Sequence, residues 1–233
     1  ILQIRFGQED NFTATSSTGS DGISFDEIEI RDACAITAPY AENFDGTDWT
    51  TGTGNDNTGN TFDNCWSRTP DPEGAGAYTD YHWGTQSGFT ASSNTGPNGD
   101  NTTGSDNYIY VEASNTSPSS STFTSPSIDI SGLTNAELRF FYHMYGDDID
   151  NLSIQVDDGS GFTQVDQIIG EQLTAEADPF EERLVDLSAF SGSIEVRFEA
   201  TYGGSFNGDI AIDDFEIREQ LACQPPTNLT VTG

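Results

Sequence analysis

The chain has 233 residues, with 39 Asp and Glu against 7 basic residues, all of them Arg, and a formal net charge of −32. A surface this acidic repels phosphate backbones and anionic headgroups, and no apolar run approaches the roughly 18–20 residues of a spanning helix, so nucleic acid and direct membrane insertion are excluded. Leu, Ile, Val and Phe make up 47 residues, near the level at which high charge predicts disorder, but 15 Phe, 8 Tyr and 3 Trp predict a folded core inside an acidic shell.

Along the chain, residues 1–33 read as a two-strand hairpin, with apolar positions at Ile4 and Phe6 and again at Ile23, Phe25, Ile28 and Ile30. Cys34, Cys65 and Cys223 follow no metal-ligand spacing, and His82 and His143 lie far apart, so a disulfide is expected rather than a metal or thiol site. An odd count leaves at least one cysteine without an intrachain partner. Five N-x-S/T sequons, at Asn11, Asn101, Asn115, Asn151 and Asn228, carry little weight in a chain this rich in Asn, Ser and Thr.

From Gly46 to Gly104 the sequence is irregular and Gly- and Asn-rich, and such a stretch is either functional or held by something other than core packing. Trp49, Trp66, Tyr81 and Trp83 lie within it. Two readings stay open: their faces stack on sugar rings, or they fold down into the core.

Strong alternation begins at Leu138, Phe140, Tyr142 and Met144 and resumes at Leu152, Ile154 and Val156. Further strands are expected around residues 162–169, 180–187 and 194–200, with a single helical turn at Leu187–Phe190 as the one candidate helix. Short strands about ten residues apart, divided by Gly- and Asn-rich turns, predict an all-β, two-sheet antiparallel jelly-roll sandwich. His143, alternating with Tyr142 and Met144, reads as a structural histidine. In the closing strand the apolar phase set by Ile210 and Ile212 reverses at Phe215 and Ile217, the signature of a β-bulge at Asp213–Asp214. A bulge re-aims a side chain, which makes Asp213 a candidate metal ligand as well as a candidate surface acid.

The segment from Leu2 to Cys34 matches the one from Ile194 to Cys223 strand for strand, so the early hairpin is expected to close a preceding related domain. The chain then reads as part of a longer array: 1–33 a closing hairpin, 34–220 one domain, and 221–233 a linker with a further strand.

The motifs ENFD (42–45), NCW (64–66), GPNGDNTTGSDNYIYVEAS (96–114), LRFFYHMYG (138–146), VRFEA (196–200) and GDIAIDDFEI (208–217) occur in the order expected of the MAM domain. The stretch from about 38 to 220 resembles that family, and the tail CQPPTNLTVTG resembles the first strand of a fibronectin type III domain. The resemblance implies an extracellular, non-catalytic jelly-roll module that acts in adhesion, oligomerisation or ligand recognition, here in a large bacterial cell-surface or secreted protein. It also implies a calcium site: Asp45 at the acidic position of the first-strand motif, Asp100 after the GP pair, Asp213 as the first acid of IDD, and Asp106 or a neighbouring carbonyl completing the shell. Carboxylates and carbonyls are the oxygen donors that Ca²⁺ takes. The family usually carries two disulfides, whereas three cysteines remain here. The preferred bridge is Cys34–Cys65, with onward pairing of Cys34 or Cys223 into a following domain as the alternative.

Enzyme signatures are weak. The acids Glu27, Glu29 and Asp32, repeated as Asp214, Glu216 and Glu219, imitate a retaining glycosidase pair, but their recurrence in both closing hairpins reads as a solvated strand face. No catalytic set is assigned. Expected partners are neighbouring domains of the same chain, or surface proteins and glycans, with self-association through the N-terminal hairpin as a further route. The alternative function is a carbohydrate-binding accessory module of a polysaccharide-degrading enzyme, with Trp49, Tyr81 and Trp83 as ligand contacts.

Overall fold

A computed structural model describes residues 34–52, 59–63, 65–71, 81–114 and 118–221. The expected hairpin at 1–33, Cys223 and the expected fibronectin-like strand lie outside the described residues. The described chain is an all-β sandwich of two sheets, with no helix.

One sheet contains β1 (Ala35–Thr37), β3 (Ser67–Thr69), β6 (Ser120–Thr124), β7 (Ser127–Asp129), β9 (Ile149–Asp157), β10 (Thr163–Ile169) and β12 (Ser193–Tyr202). The other contains β2 (Tyr40–Glu42), β4 (Trp83–Ser87), β5 (Asn107–Val111), β8 (Ala136–His143), β11 (Glu181–Asp186) and β13 (Ile210–Glu219). Each sheet is organised about one long strand. β12 pairs β9 on one edge and β6 then β7 on the other, while β13 pairs β8 on one edge and β5 then β2 on the other. The expectation of purely antiparallel pairing needs one correction, because β1 runs parallel to β7. A three-residue strand entering from a distant segment meets the sheet edge in either sense.

The predicted alternations supply the core. Leu138 and Phe140 of β8, Ile210, Ile212, Phe215 and Ile217 of β13, Leu152, Ile154 and Val156 of β9, and Ile194, Val196 and Phe198 of β12 are buried in a single cluster. Phe198 joins the sheets, meeting Phe140 at 4.9 Å and Phe215 at 6.3 Å edge-on. The reversal of phase in β13 is a bulge: its register against β8 shifts between Asp213 and Glu216, and Asp214 takes φ 48°. The segment Leu187–Phe190 is one turn, closed by the Phe190 N–H on the Leu187 carbonyl at 2.9 Å, and not a helix.

The second face of the β13 sheet is also covered. Tyr108, Tyr110, Ala211 and Phe180 form a smaller buried cluster. The covering segments are tied down by the Tyr108 hydroxyl on the Gly88 carbonyl (2.8 Å), the Gln172 N–H on the Met144 carbonyl (2.8 Å) and the Asn98 N–H on the Glu176 carbonyl (2.9 Å). His143 sits under this cover, fully buried against Phe180.

Burial pushes the His143 imidazole down to about 4, against the opposing pull of the Asp178 carboxylate and of the Ala175 and Asp178 backbone. A histidine depressed in the folded state contributes stability above its unfolded pKa near 6.5 and loses it as pH falls through 6.5 toward 4. The domain is therefore expected to lose about 3 kcal/mol over that window through this residue. His143→Gln should flatten the difference in paired melting curves at pH 7 and pH 4.5.

Candidate functional site

Three segments meet at one end of the β13 sheet, and each carries acids. β2 is followed by Asn43-Phe44-Asp45, where Phe44 takes φ 60° and plunges its ring into the core. That conformation leaves Asp45 outside. Its carboxylate accepts the Asn107 N–H at 2.8 Å and the Asn43 side-chain amide at 2.7 Å, while the Asn107 side chain donates to the Phe44 and Trp49 carbonyls at 3.2 Å. The ENFD motif is thereby locked to the start of β5.

The loop over residues 99–106 folds tightly because Gly99 has no room for a Cβ, which would lie 2.5 Å from the Gly104 carbonyl oxygen. Asp100 organises the loop. It accepts the N–H groups of Thr102 (3.0 Å), Thr103 (2.8 Å) and Asp106 (2.9 Å), and the Thr103 hydroxyl at 3.1 Å. Burial alone would raise this carboxyl, but the Thr103, Asp106 and Thr102 N–H groups outweigh it and hold the pKa below the usual carboxylate value. Asp106 is exposed and accepts the same Thr103 hydroxyl at 3.0 Å.

Asp213, at the bulge, is 1% exposed. One carboxylate oxygen accepts the Asn101 N–H and the other the Asp214 N–H, both at 2.8 Å. Burial pushes the group up to about 8, with the Asp214 and Asp100 carboxylates adding to the rise. Asp45 is raised too, first by burial and then by repulsion from Asp106, Asp100 and Asp214.

The structure thus brings Asp45, Asp100, Asp106 and Asp213 to one patch, together with Asp214, which sequence reasoning did not assign. Asp214 turns its carboxylate onto the Asn101 side-chain amide (2.7 Å) and the Thr102 hydroxyl (3.0 Å). Its signal in the sequence was the doubled acid at the change of phase, where either residue of the pair can be the one re-aimed. No ion pair among the described residues links an Arg to any of the five. Nor does any group of three or more His, Cys, Asp or Glu among them stand ready around one ion position. The donors are all oxygen and carry repelling charges, which fits a hard cation in chemistry.

Of the proposed ligand contacts, Trp49, Tyr81 and Trp83 are 4%, 0% and 0% exposed. They are core residues. Trp49 packs edge-on to Phe44 at 5.0 Å, Tyr81 meets Tyr202 at 5.6 Å, and the Trp83 indole N–H donates to the Ser121 carbonyl at 3.1 Å. The expectation of exposed stacking faces is corrected, because aromatic area this large is buried where polar loops offer little else to pack. Cys34 and Cys65 are joined in a disulfide.

Of the acids that imitate a glycosidase pair, Glu27, Glu29 and Asp32 lie outside the described residues, and those of the second set are engaged elsewhere. Glu216 lies between Arg218 (3.0 Å) and Arg139 (3.4 Å), and Glu219 accepts the Thr134 and Asn135 N–H groups. Among the described residues no helix is long and apolar enough to cross a membrane.

The sequence model of one family, described as MAM domain, meprin/A5/mu, matches residues 74–224. The chain is similar to MAM domain-containing protein 2 of Homo sapiens, 34% identical over 140 residues, covering 58% of this chain and 19% of that protein. It is similar to neuropilin-1a of Danio rerio, 29% identical over 142 residues, covering 60% of this chain and 15% of that protein. The chain spans about a fifth or less of the length of these relatives. Among solved structures, the K1 cleaved adhesin domain of Lys-gingipain from Porphyromonas gingivalis W83 aligns with a TM-score of 0.44 at 18% identity, covering 78% of this chain and 98% of that one.

Proposed function

From the premise that the chain belongs to the MAM domain family, we propose that it is a non-catalytic adhesion and structural module of a larger extracellular or cell-surface protein, its loops braced by calcium. The observation that carries this reading is the convergence of Asp45, Asp100, Asp106, Asp213 and Asp214 without a described counter-charge. Calcium there would be held by carboxylates of Asp45, Asp100, Asp106 and Asp213, and it would supply the positive charge that a buried Asp213 lacks. The chain's own part is to fix those carboxylates: Asn101 and Asn107 tie the loop and the first-strand motif to them through backbone N–H groups. A Cys34–Cys65 disulfide agrees with an oxidising, extracellular setting.

The non-catalytic reading is supported by the state of the candidate acids. Glu216 is neutralised by two arginines, and Glu219 caps a turn, so neither is left to donate a proton or attack a sugar. Burial of Trp49, Tyr81 and Trp83 removes the stacking platform on which a carbohydrate-binding role was expected to rest. In calcium, the full chain on an array of neutral glycans is expected to retain no sugar selectively, leaving protein contact as its mode of attachment. Selective retention of one glycan would replace adhesion by the carbohydrate-binding role.

A further inference from the structure

A second pair of acids sits at the far end of the β5–β13 ladder. Ile210 pairs with Val111, Ala211 with Tyr110 and Ile212 with Ile109, so the next opposed pair in this antiparallel register is Asp209 and Glu112. Opposed residues in such a ladder have Cβ atoms about 4.5–5.5 Å apart, and like charges there repel. Both residues are 0% exposed.

The Thr90 and Ser114 side chains lie close to Asp209 and Glu112 respectively, and each carboxylate has one oxygen held by a backbone N–H. Asp209 Oδ1 accepts the Ala113 N–H at 2.8 Å, and Glu112 Oε1 accepts the Ser114 N–H at 2.9 Å and the Ser92 hydroxyl at 3.5 Å. The other oxygens, Asp209 Oδ2 and Glu112 Oε2, are buried with no hydrogen-bond partner. A third orphan is the Tyr81 hydroxyl, buried and unpartnered, with its ionisation disfavoured first by burial and then by the nearby Asp209 and Asp150 carboxylates. No described Arg forms an ion pair with either acid.

Buried carboxylates without compensation are costly, and buried acceptors left unmatched cost about 1–3 kcal/mol each, more when charged. A proton shared between Asp209 and Glu112 would relieve the repulsion but leave one buried charge and the phenol oxygen unmatched. A bridging water would satisfy acceptors and leave both charges. A cation does what neither can, because it neutralises two carboxylates and takes up lone pairs from three segments of chain. We propose that Asp209, Glu112 and the Tyr81 hydroxyl form a second, buried cation site, of an all-oxygen chemistry suited to Ca²⁺. Irregular oxygen shells assembled from separate segments suit Ca²⁺ better than Mg²⁺, which demands a near-octahedral shell. This site is independent of the Asp213 patch, and the two would pin β13 at its start and at its bulge.

Calcium titration of the metal-stripped full chain by calorimetry tests it. Glu112→Gln and Asp209→Asn keep the shape and remove the charge, and each is expected to bind one equivalent fewer than wild type. Asp213→Asn reports separately on the other patch: if that patch binds nothing, wild type takes one equivalent and Glu112→Gln takes none. Amide variants with the same stoichiometry as wild type would overturn the site in favour of a shared proton or a water. Should an amide variant fail to fold, wild type itself decides. Calcium is expected to shift the Ala113 and Ser114 amide resonances and chelation to restore them, and resonances unmoved at saturating calcium would overturn the proposal.

Discussion

Phe123→Ala is expected to destabilise the domain by about 3–5 kcal/mol, the range for removing a fully buried aromatic from a core that cannot collapse around the gap. Phe123 is 0% exposed and is the hub of the aromatic cluster. Trp66 stacks on it at 4.7 Å, and Phe62, Trp83, Phe44 and Trp49 surround it at 5.4, 5.9, 6.0 and 6.3 Å. Each of those contacts also loses the pairwise attraction that well-disposed rings add to area burial. For a domain of this size the loss corresponds to a fall in melting temperature of roughly 6–20 °C. Denaturant unfolding with an unchanged m-value would tie the effect to stability and not to a looser native state. A loss below about 1 kcal/mol would mean that these aromatics are not the core, and would return Trp49 and Trp83 to candidacy as ligand contacts.

Removing the disulfide is the second large effect. Cys34 and Cys65 are 31 residues apart in sequence, and closing a loop of that size restricts the unfolded chain by about 3.7 kcal/mol in the chain-entropy account. Double replacement by Ala is expected to cost about that much, and reduction of wild type should give a similar drop in the denaturation midpoint. The bridge fastens the segment leading into β1 to the residue just before Trp66, a member of the same aromatic cluster. An equal midpoint for the oxidised, reduced and double-alanine forms would show that the segment is held by packing alone.

What the sequence made legible follows from the period of its strong strands. Leu138-Phe140-Tyr142, Leu152-Ile154-Val156 and Ile194-Val196-Phe198 could be assigned inward because a half-buried strand repeats every two residues. The bulge at Asp213–Asp214 was legible for the same reason, as a break in that period. The short strands β1, β3 and β7 were not, because three residues such as Ser67-Arg68-Thr69 carry no period. The irregular aromatics were ambiguous at the level of sequence: a Trp between glycines reads alike whether it faces a sugar or Phe123, and only packing decides.

The acids illustrate a different limit. Asp100 carries the motif position expected of a ligand, yet its carboxylate also serves as the cap of its own loop, a role that depends on where the N–H groups of Thr102, Thr103 and Asp106 point. Glu112 and Asp209 are 97 residues apart, and nothing in VEAS or GDIAI marks them as partners. Strand register alone makes them neighbours. Of the 39 acidic residues, then, composition reads a uniform shell, while the fold separates a few that are buried or crowded from the many that face water.

The claim on which the functional reading turns is that cations relieve those crowded acids, and thermal melting with and without chelator tests it most directly. Free calcium at a hundred times its dissociation constant stabilises a folded protein by about 2.7 kcal/mol. For this domain that predicts a melting temperature roughly 5–10 °C higher in calcium than in chelator, with the difference reduced in Asp213→Ala. Superimposable wild-type melting curves in calcium and in chelator would contradict the account.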